Sequence, residues 1–164
     1  MPLVTETVTF RMFSSASDVW SAVTAATAVF PMAMPNLYAG IKRNRRDGFT
    51  EGSIRDITFG PAYSRVVGSG REEILEVDHS NMTVKTTMND DGAFVPRLFD
   101  SVDITTAVVP SSRANLRATG CTITWSFTYD SAKGNADVNN LKNVMQTAFQ
   151  DLDDYLRRGR GNRP

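Results

Sequence analysis

The feature that most constrains this chain is a change of hydrophobic period near its carboxyl end. Over residues 121–129, Ile, Trp, Phe and Tyr alternate with Thr and Ser, a pattern that predicts a β-strand with one buried face. From about residue 136 to residue 158, apolar residues recur every three or four positions, which predicts a long amphipathic helix. A half-buried strand followed by a helix with one apolar stripe indicates a helix that covers one face of a sheet.

The residues before this strand predict two short helices and a run of antiparallel strands. Alternation predicts a first strand over residues 3–13, and the Ser and Asp residues at 14–18 suit the start of a helix. Pro31 and Pro35 cannot both lie inside one straight helix, so a short or broken second helix is expected over residues 30–37. Further strands are predicted from residue 41 to a turn at 46–48, and over residues 52–59, 71–77, 82–88 and 102–109.

This order of elements predicts an α+β fold. Strands that follow one another along the chain pair most simply as an antiparallel sheet, and the closing helix then lies against one face of it. We expect residues 1–158 to form a single ligand-binding domain and the arginine- and glycine-rich residues 159–164 to form a flexible tail.

Charge and cysteine content disfavour or exclude several classes of protein. The 164 residues carry 18 Lys and Arg against 18 Asp and Glu, and this zero net charge disfavours a dedicated nucleic-acid binder. The basic residues at 42–46 and the arginine-rich end leave contact with RNA as a weak alternative. A single cysteine, Cys121, excludes an internal disulfide and a four-cysteine zinc site, and we predict neither a metal nor a cofactor.

The cellular location is predicted from what the sequence lacks. The opening residues show neither a basic segment nor a long apolar run, and no stretch reaches the ~18 apolar residues of a membrane span. With a lone cysteine, these features favour a cytoplasmic protein without a membrane partner, and we expect a monomer.

Four segments, taken in order, resemble the pathogenesis-related class 10 family, the birch-pollen-allergen-like proteins of plants. They are ASDVW at 16–20 with the prolines that follow, DGFTEGSIRDITF at 47–59, EEILEVDHSNM at 72–82, and the strand at 121–129 with the closing helix. The resemblance covers nearly the whole chain. It implies the helix-grip fold, in which a curved seven-stranded antiparallel sheet surrounds a long C-terminal helix and two short helices follow the first strand.

The resemblance also implies a function. Members of the family hold small hydrophobic or amphiphilic plant metabolites or hormones, such as cytokinins and flavonoids, in a cavity between the sheet and the long helix. It therefore implies intracellular binding, storage or transport of such molecules in defence or stress. Some relatives, the norcoclaurine synthases, are enzymes of secondary metabolism that use the same cavity, and an RNA-cleaving stress protein is a further alternative.

Residues that share the inward parity of each strand are the predicted ligand contacts. Arg55 shares its face with Ile57 and Phe59, so its guanidinium is expected inside, where it needs an anion or a carbonyl as partner. Met32 and Ile41 are expected to close one end of the cavity. The predicted ligand-binding residues are Phe10, Leu37, Arg55, Ile57, Phe59, Tyr63, Val84, Thr86, Phe99, Ile104, Trp125, Phe127, Tyr129, Met145 and Phe149.

Signals for catalysis are weak. His79 is the sole histidine, so a pair of histidines acting as acid and base is excluded. Norcoclaurine synthases carry a cavity lysine on the strand that corresponds to residues 121–129, and the matching position here falls at or near Thr124. We predict no catalytic residues; for the alternative of an enzyme, the candidate polar groups are Arg55, Tyr63, Glu73 and Tyr129.

The glycine-rich loop of the family is altered in this chain. Gly48 and Gly52 are kept, but Phe49 and Thr50 stand between them and Glu51 adds a negative charge. A phosphate prefers bare backbone N–H groups without a neighbouring carboxylate, so phosphate binding at this loop is disfavoured. We expect the loop to be a turn that supports the short helices.

Overall fold

A seven-stranded antiparallel sheet and three helices make up the described part of the chain. The computed structural model describes residues 3–45, 49–65, 67–88, 95, 98–111, 120–130 and 137–161. The strands are β1 (Val4–Met12), β2 (Tyr38–Arg45), β3 (Ile54–Phe59), β4 (Ser69–Asp78), β5 (Thr83–Met88), β6 (Val102–Pro110) and β7 (Cys121–Tyr129). The helices are α1 (Ala16–Thr24), α2 (Ala26–Ala33) and α3 (Val138–Gly161).

The sheet order is β1-β7-β6-β5-β4-β3-β2, and the sheet curves around α3. Each strand from β2 to β7 pairs with its sequence neighbour, and β7 also pairs with β1, which brings the first strand beside the last. The predicted α+β class and helix-grip architecture are confirmed.

The alternation of β7 separates a buried face from a hydroxyl-rich face. Cys121, Ile123 and Phe127 are at most 1% exposed and point toward α3. On the other face, hydroxyls meet across the β1–β7 pair: the Oγ1 atoms of Thr5 and Thr128 lie 2.9 Å apart. Such cross-strand threonine pairs stabilise the face that water reaches, so apolar residues are needed on one side of the sheet only.

A β-bulge in β4 changes which residues point inward along that strand. The register shifts between Ile74 and Glu76, and the extra residue, Leu75, is 46% exposed. Before the bulge Glu72 and Ile74 point inward, and after it Val77 lies opposite Val84 of β5. The bulge therefore lets one strand present both even- and odd-numbered residues to the interior.

The two short helices meet at Ala25. Ser15 caps α1 by accepting the backbone N–H of Asp18, and the N–H of Ala25 closes the helix onto the carbonyl of Ser21. The second helix covers Ala26–Ala33, whereas the sequence predicted residues 30–37. The helix begins earlier than predicted because the alanine-rich run before Pro31 favours helix. Pro31 itself is accommodated near the helix end.

Helix α3 is held to the start of the chain at two points. Near its beginning, Lys142 Nζ lies 3.1 Å from Glu6 Oε2 of β1. Near its end, the carboxylate of Asp153 accepts the backbone N–H groups of Phe13 and Ser14 and the Ser14 hydroxyl, at 3.1, 2.9 and 2.7 Å. These contacts attach α3 to β1 and to the segment that follows it, and the buried carboxylate of Asp153 makes the stronger attachment.

The end of α3 lies further along the chain than predicted. The helix continues through Gly161, whereas the sequence predicted an end near residue 158. Residues 162–164 lie outside the described residues, so a flexible tail there stays a prediction. None of the described helices combines the length and apolarity needed to cross a membrane.

Candidate functional site

A cavity of about 90 Å³ lies between the concave face of the sheet and the first half of α3. Leu141, Met145 and Phe149 face it from α3; they are spaced four residues apart and therefore form one stripe of the helix. The walls are mainly aliphatic, aromatic and methionine side chains, which is the usual lining of a small-molecule site.

Most of the residues predicted as ligand contacts line this cavity. From the sheet and the segments beside it these are Leu37, Arg55, Ile57, Phe59, Tyr63, Val84, Thr86, Ile104, Trp125 and Phe127, and from α3 they are Met145 and Phe149. Ile41 also lines the cavity, as expected, whereas Met32 is 59% exposed on α2 and does not close it. Whether these residues contact a ligand stays a prediction.

Phe10, Phe99 and Tyr129 do not line the cavity, although strand parity suggested it. Phe10 lies on the edge strand β1 and is only half-buried. Phe99 packs its ring against those of Phe127 and Tyr129, with centroids 5.0 and 5.2 Å apart. These rings fill the interior beside the cavity, because inward parity selects the core face as a whole and not the hollow part of it.

Several residues that line the cavity were not predicted from the sequence. They are Val23, Ala26, Phe30, Tyr38, Phe49, Glu72, Thr106 and Leu141. Parity could have indicated Glu72, which shares its face with Ile74, and Thr106, which shares its face with Ile104. The helix and loop residues carry no such signal, because their approach to the sheet depends on how distant segments pack.

A buried ion pair forms the polar part of the cavity wall. Arg55 and Glu72 are directly opposite each other in the β3–β4 register, and each residue is 8% exposed. Arg55 Nη2 donates to Glu72 Oε1. Glu72 Oε2 accepts a hydrogen bond of 3.1 Å from the Thr86 hydroxyl on β5. Both carboxylate oxygens therefore have a donor, as a buried carboxylate requires.

The guanidinium of Arg55 is only partly satisfied. Its Nε and Nη1 atoms are buried and have no hydrogen-bond partner within the described residues. The ring of Phe49 covers the group, with the guanidinium carbon 5.5 Å from the ring centroid. A buried donor without an acceptor is costly, so these atoms mark the place where an acceptor would be most favourable.

Two tyrosines of the lining are kept in the neutral form. Burial raises the pKa of Tyr38 above its ordinary range, the Glu72 carboxylate raises it further, and Arg55 partly opposes this. Burial, and then the charge of Asp137, raises the pKa of Tyr63 to about 12. At neutral pH both phenols therefore offer hydroxyl groups and not charges to the interior.

The segment that replaces the glycine-rich loop contributes a ring to the cavity wall. Phe49 lines the cavity and lies edge-on to Trp20 of α1, with centroids 6.5 Å apart. Gly52 has a φ of 78°, a conformation that glycine adopts without strain. Residues 46–48, including the predicted turn and Gly48, lie outside the described residues.

A second depression is larger than the cavity and lies on the surface of the protein. A groove of about 950 Å³ lies on the surface between α1, α2 and the end of α3, and its lining includes Asp18, Met32, Asp151 and Tyr155. Among the described residues, no buried polar side-chain atom without a partner faces this groove. The interior cavity, with the Arg55–Glu72 pair in its wall, is therefore the candidate site.

Comparison with known proteins identifies the family. Residues 1–157 match the family model described as polyketide cyclase / dehydrase and lipid transport. The chain belongs to this family. The predicted resemblance to the helix-grip superfamily of pathogenesis-related class 10 proteins is thereby confirmed.

One curated relative and two solved structures are similar to this chain. MLP-like protein 423 of Arabidopsis thaliana is 28% identical over 144 residues, which cover 87% of each chain. Major latex-like protein 151 of Panax ginseng has a TM-score of 0.73 at 16% identity, covering 93% of this chain and 97% of its own. A norcoclaurine synthase mutant of Thalictrum flavum, in complex with a transition-state analogue, has a TM-score of 0.68 at 19% identity, covering 98% and 99%.

His79 and Cys121 do not line the cavity. His79 accepts a hydrogen bond of 3.3 Å at Nδ1 from the indole N–H of Trp20 and is exposed. Cys121 is fully buried, and burial raises the pKa of its thiol to about 11. Within the described residues, no group of His, Cys, Asp and Glu side chains has the arrangement that holds a metal ion.

Proposed function

We propose that this chain is a non-catalytic carrier or reservoir that binds small hydrophobic or amphiphilic molecules in the cavity between the sheet and α3. The observation that carries the proposal is the buried, largely apolar cavity with one ion pair in its wall. The lipid-transport description of the family and the major latex-like relatives support the general role.

The finer proposal concerns the ligand and its setting. We propose a plant metabolite or hormone of the cytokinin or flavonoid type, held by a monomeric protein in the cytoplasm during defence or stress. The aromatic groups of the cavity suit planar ring systems, because Phe59, Trp125 and Phe127 offer ring faces and edges to a guest. The ligand contacts are then the predicted residues that line the cavity.

The size of the cavity indicates that binding requires the walls to move. A cavity of ~150 Å³ holds benzene, and drug-sized ligands occupy about 300–1,000 Å³, whereas this one measures about 90 Å³. Met34, Met88 and Met145 line it, and their unbranched side chains can change rotamer at low cost. We therefore expect ligand uptake to be slower than diffusion, since the space must first open.

Catalysis is not part of the proposal. Of the polar groups considered for an enzyme, Arg55 and Tyr63 line the cavity, whereas Tyr129 and Glu73 do not. Arg55 is paired with Glu72, and the phenol of Tyr63 stays neutral at pH 7. The described lining contains no lysine, and similarity to norcoclaurine synthase at 19% identity concerns the fold alone.

The test is isothermal titration with a panel of cytokinin-type adenines and flavonoids. We expect at least one compound to bind with a Kd below ~100 μM, which corresponds to about 5–6 kcal/mol. Val84→Trp fills the cavity from β5 and should abolish this binding, while Val109→Trp, on an exposed site of β6, should leave it unchanged. The proposal would be contradicted if Val84→Trp bound as well as the wild-type protein, or if the wild-type protein bound none of the compounds.

A further inference from the structure

The unpartnered donors of Arg55 indicate which chemical group a ligand presents to the cavity wall. The Nε and Nη1 atoms are buried, belong to a side chain that lines the cavity, and lack an acceptor among the described residues. Water-exposed donors would need no partner, but a buried N–H without one loses its hydration without compensation. An acceptor on the ligand would remove this cost.

The charge of the site limits the kind of acceptor. Arg55 is already neutralised by Glu72, whose two oxygens accept from Arg55 and from Thr86. A ligand carboxylate would place a third charge beside Glu72 and give the buried group a net negative charge. A neutral carbonyl oxygen accepts the same N–H groups without adding a charge.

The shape of the guanidinium supports the same choice. The N–H of Nε and those of Nη1 point to different sides of the planar group, while Nη2 is engaged by Glu72. The two oxygens of one carboxylate cannot bridge Nε and Nη1, because a bidentate pair requires adjacent parallel N–H bonds. One neutral oxygen can accept from either atom, and two separate oxygens can accept from both.

We propose that the cavity selects neutral ligands whose apolar body carries a carbonyl oxygen directed at Arg55, in preference to carboxylates and to hydrocarbons of the same shape. The inference rests on the proposed function, since it names the chemical class of the ligand in the same cavity. Phe49, whose ring covers the guanidinium, and Tyr38, whose phenol is influenced by the charges of Glu72 and Arg55, line the same cavity.

The test uses three probes with one ring system: 2-acetylnaphthalene, its hydrocarbon isostere 2-isopropenylnaphthalene, and 2-naphthoate. Their Kd values are measured by titration at pH 7.5 with the wild-type protein. We expect the ketone to bind about 10-fold more tightly than either of the others, as a hydrogen bond to a charged donor in a buried site would give. Equal affinity for the ketone and the hydrocarbon, or tightest binding of 2-naphthoate, would overturn the inference.

Variants assign the preference to the ion pair. In Arg55→Met/Glu72→Met the ratio of ketone to hydrocarbon affinity should fall to about 2-fold or less, while the hydrocarbon still binds. Should this variant not fold, Arg55→Leu/Glu72→Leu removes the same donors with a different apolar pair, and the same fall is expected. A ratio that persists in the folded variant would overturn the inference.

A matched control lies on the other face of the same two strands. Asp56 and Arg71 form a half-exposed pair, with 2.8 Å between Asp56 Oδ1 and Arg71 Nε, and they too are directly opposite in the β3–β4 register. Asp56→Asn/Arg71→Gln should leave the ratio unchanged. Failure of all three probes to bind the wild-type protein would count against the proposed function itself, whereas equal binding of all three would count against the carbonyl preference alone.

Discussion

The carboxylate of Asp153 attaches the long helix to the corner between β1 and α1, so its removal should lower the stability of the fold. Leu141, Met145, Phe149 and Asp153 lie four residues apart on one stripe of α3, and the first three line the cavity. Asp153 is 1% exposed and accepts three hydrogen bonds from Phe13 and Ser14. The residue that ends the cavity-facing stripe therefore also holds the helix in place.

The magnitude follows from these three hydrogen bonds. A hydrogen bond to a charged group contributes about 1.5–3 kcal/mol, and the contributions of three bonds to one carboxylate are not additive. Asp153→Asn keeps the shape but places an amide N–H2 against a backbone N–H, which should cost about 2–3 kcal/mol. Asp153→Ala leaves all three donors without their acceptor and should cost about 4 kcal/mol.

Urea denaturation followed by circular dichroism measures the change. With an m-value of about 2 kcal/mol/M, a loss of 3 kcal/mol lowers the unfolding midpoint by about 1.5 M. The control is Asp154→Asn, which changes the next residue of the same helix, where the carboxylate accepts from Gln150 on the surface; its effect should be within about 0.5 kcal/mol. If Asp153→Asn costs no more than Asp154→Asn, the attachment through Asp153 is not what holds the helix.

Three further predictions concern buried groups. Glu72→Gln should lower the free energy of unfolding by about 3–5 kcal/mol because it leaves the charge of Arg55 unpaired. In the double variant Arg55→Met/Glu72→Met, the free energy of unfolding should stay within about 1 kcal/mol of the wild-type value. Equal losses in the two variants would contradict this. Because burial raises the pKa of Tyr63 to about 12, the neutral phenol contributes stability below pH ~10 that is lost as the pH approaches 12. Tyr63→Phe should therefore lose less stability over that interval, by on the order of 2 kcal/mol, and parallel urea midpoints for the two proteins would contradict it. The thiol of Cys121, with its pKa raised to about 11, should resist a disulfide reagent at pH 8 until the protein is unfolded, and full modification of the native protein within minutes would show that it is accessible.

Local pattern was sufficient to predict the α+β class and the order of the elements, whereas the helix-grip arrangement was implied by the family resemblance. The alternation of β7 and the helical period of α3 each extend over many residues, so the local sequence is enough to predict that one is a strand and the other a helix. The boundaries were less well predicted, and α2 shows why: its start at Ala26 depends on the turn that α1 makes at Ala25, which proline positions alone do not indicate.

The sequence predicts which face of the sheet points inward, but it does not predict which inward residues line the cavity. Strand parity placed Ile57, Val84 and Trp125 on the correct face, and the same rule placed Phe99 and Tyr129 there as well. Whether an inward residue fills the core or borders a cavity depends on the distance between the sheet and the helix, and no local pattern records that distance. Phe49 joins the wall through such a long-range approach, and its position before Gly52 gave no signal of it.

The ion pair in the cavity wall was predicted only in part. Parity predicted that Arg55 lies inside and needs a partner, and the parity of Ile74 also indicates that Glu72 points inward. That Glu72 lies opposite Arg55 follows only from the pairing of β3 with β4. That register is set by the turn between the two strands and not by either strand alone. Burial of both charges in one pair is consistent with the requirement that an inward guanidinium be compensated.

The most direct measurement of the account is a crystal structure of the protein grown with the tightest compound of the titration panel. We expect electron density for the compound between the sheet and α3, in contact with Trp125 and Met145 and with an oxygen atom near Arg55. Density for the compound in the surface groove beside Met32 and Tyr155, with the interior unchanged, would contradict it.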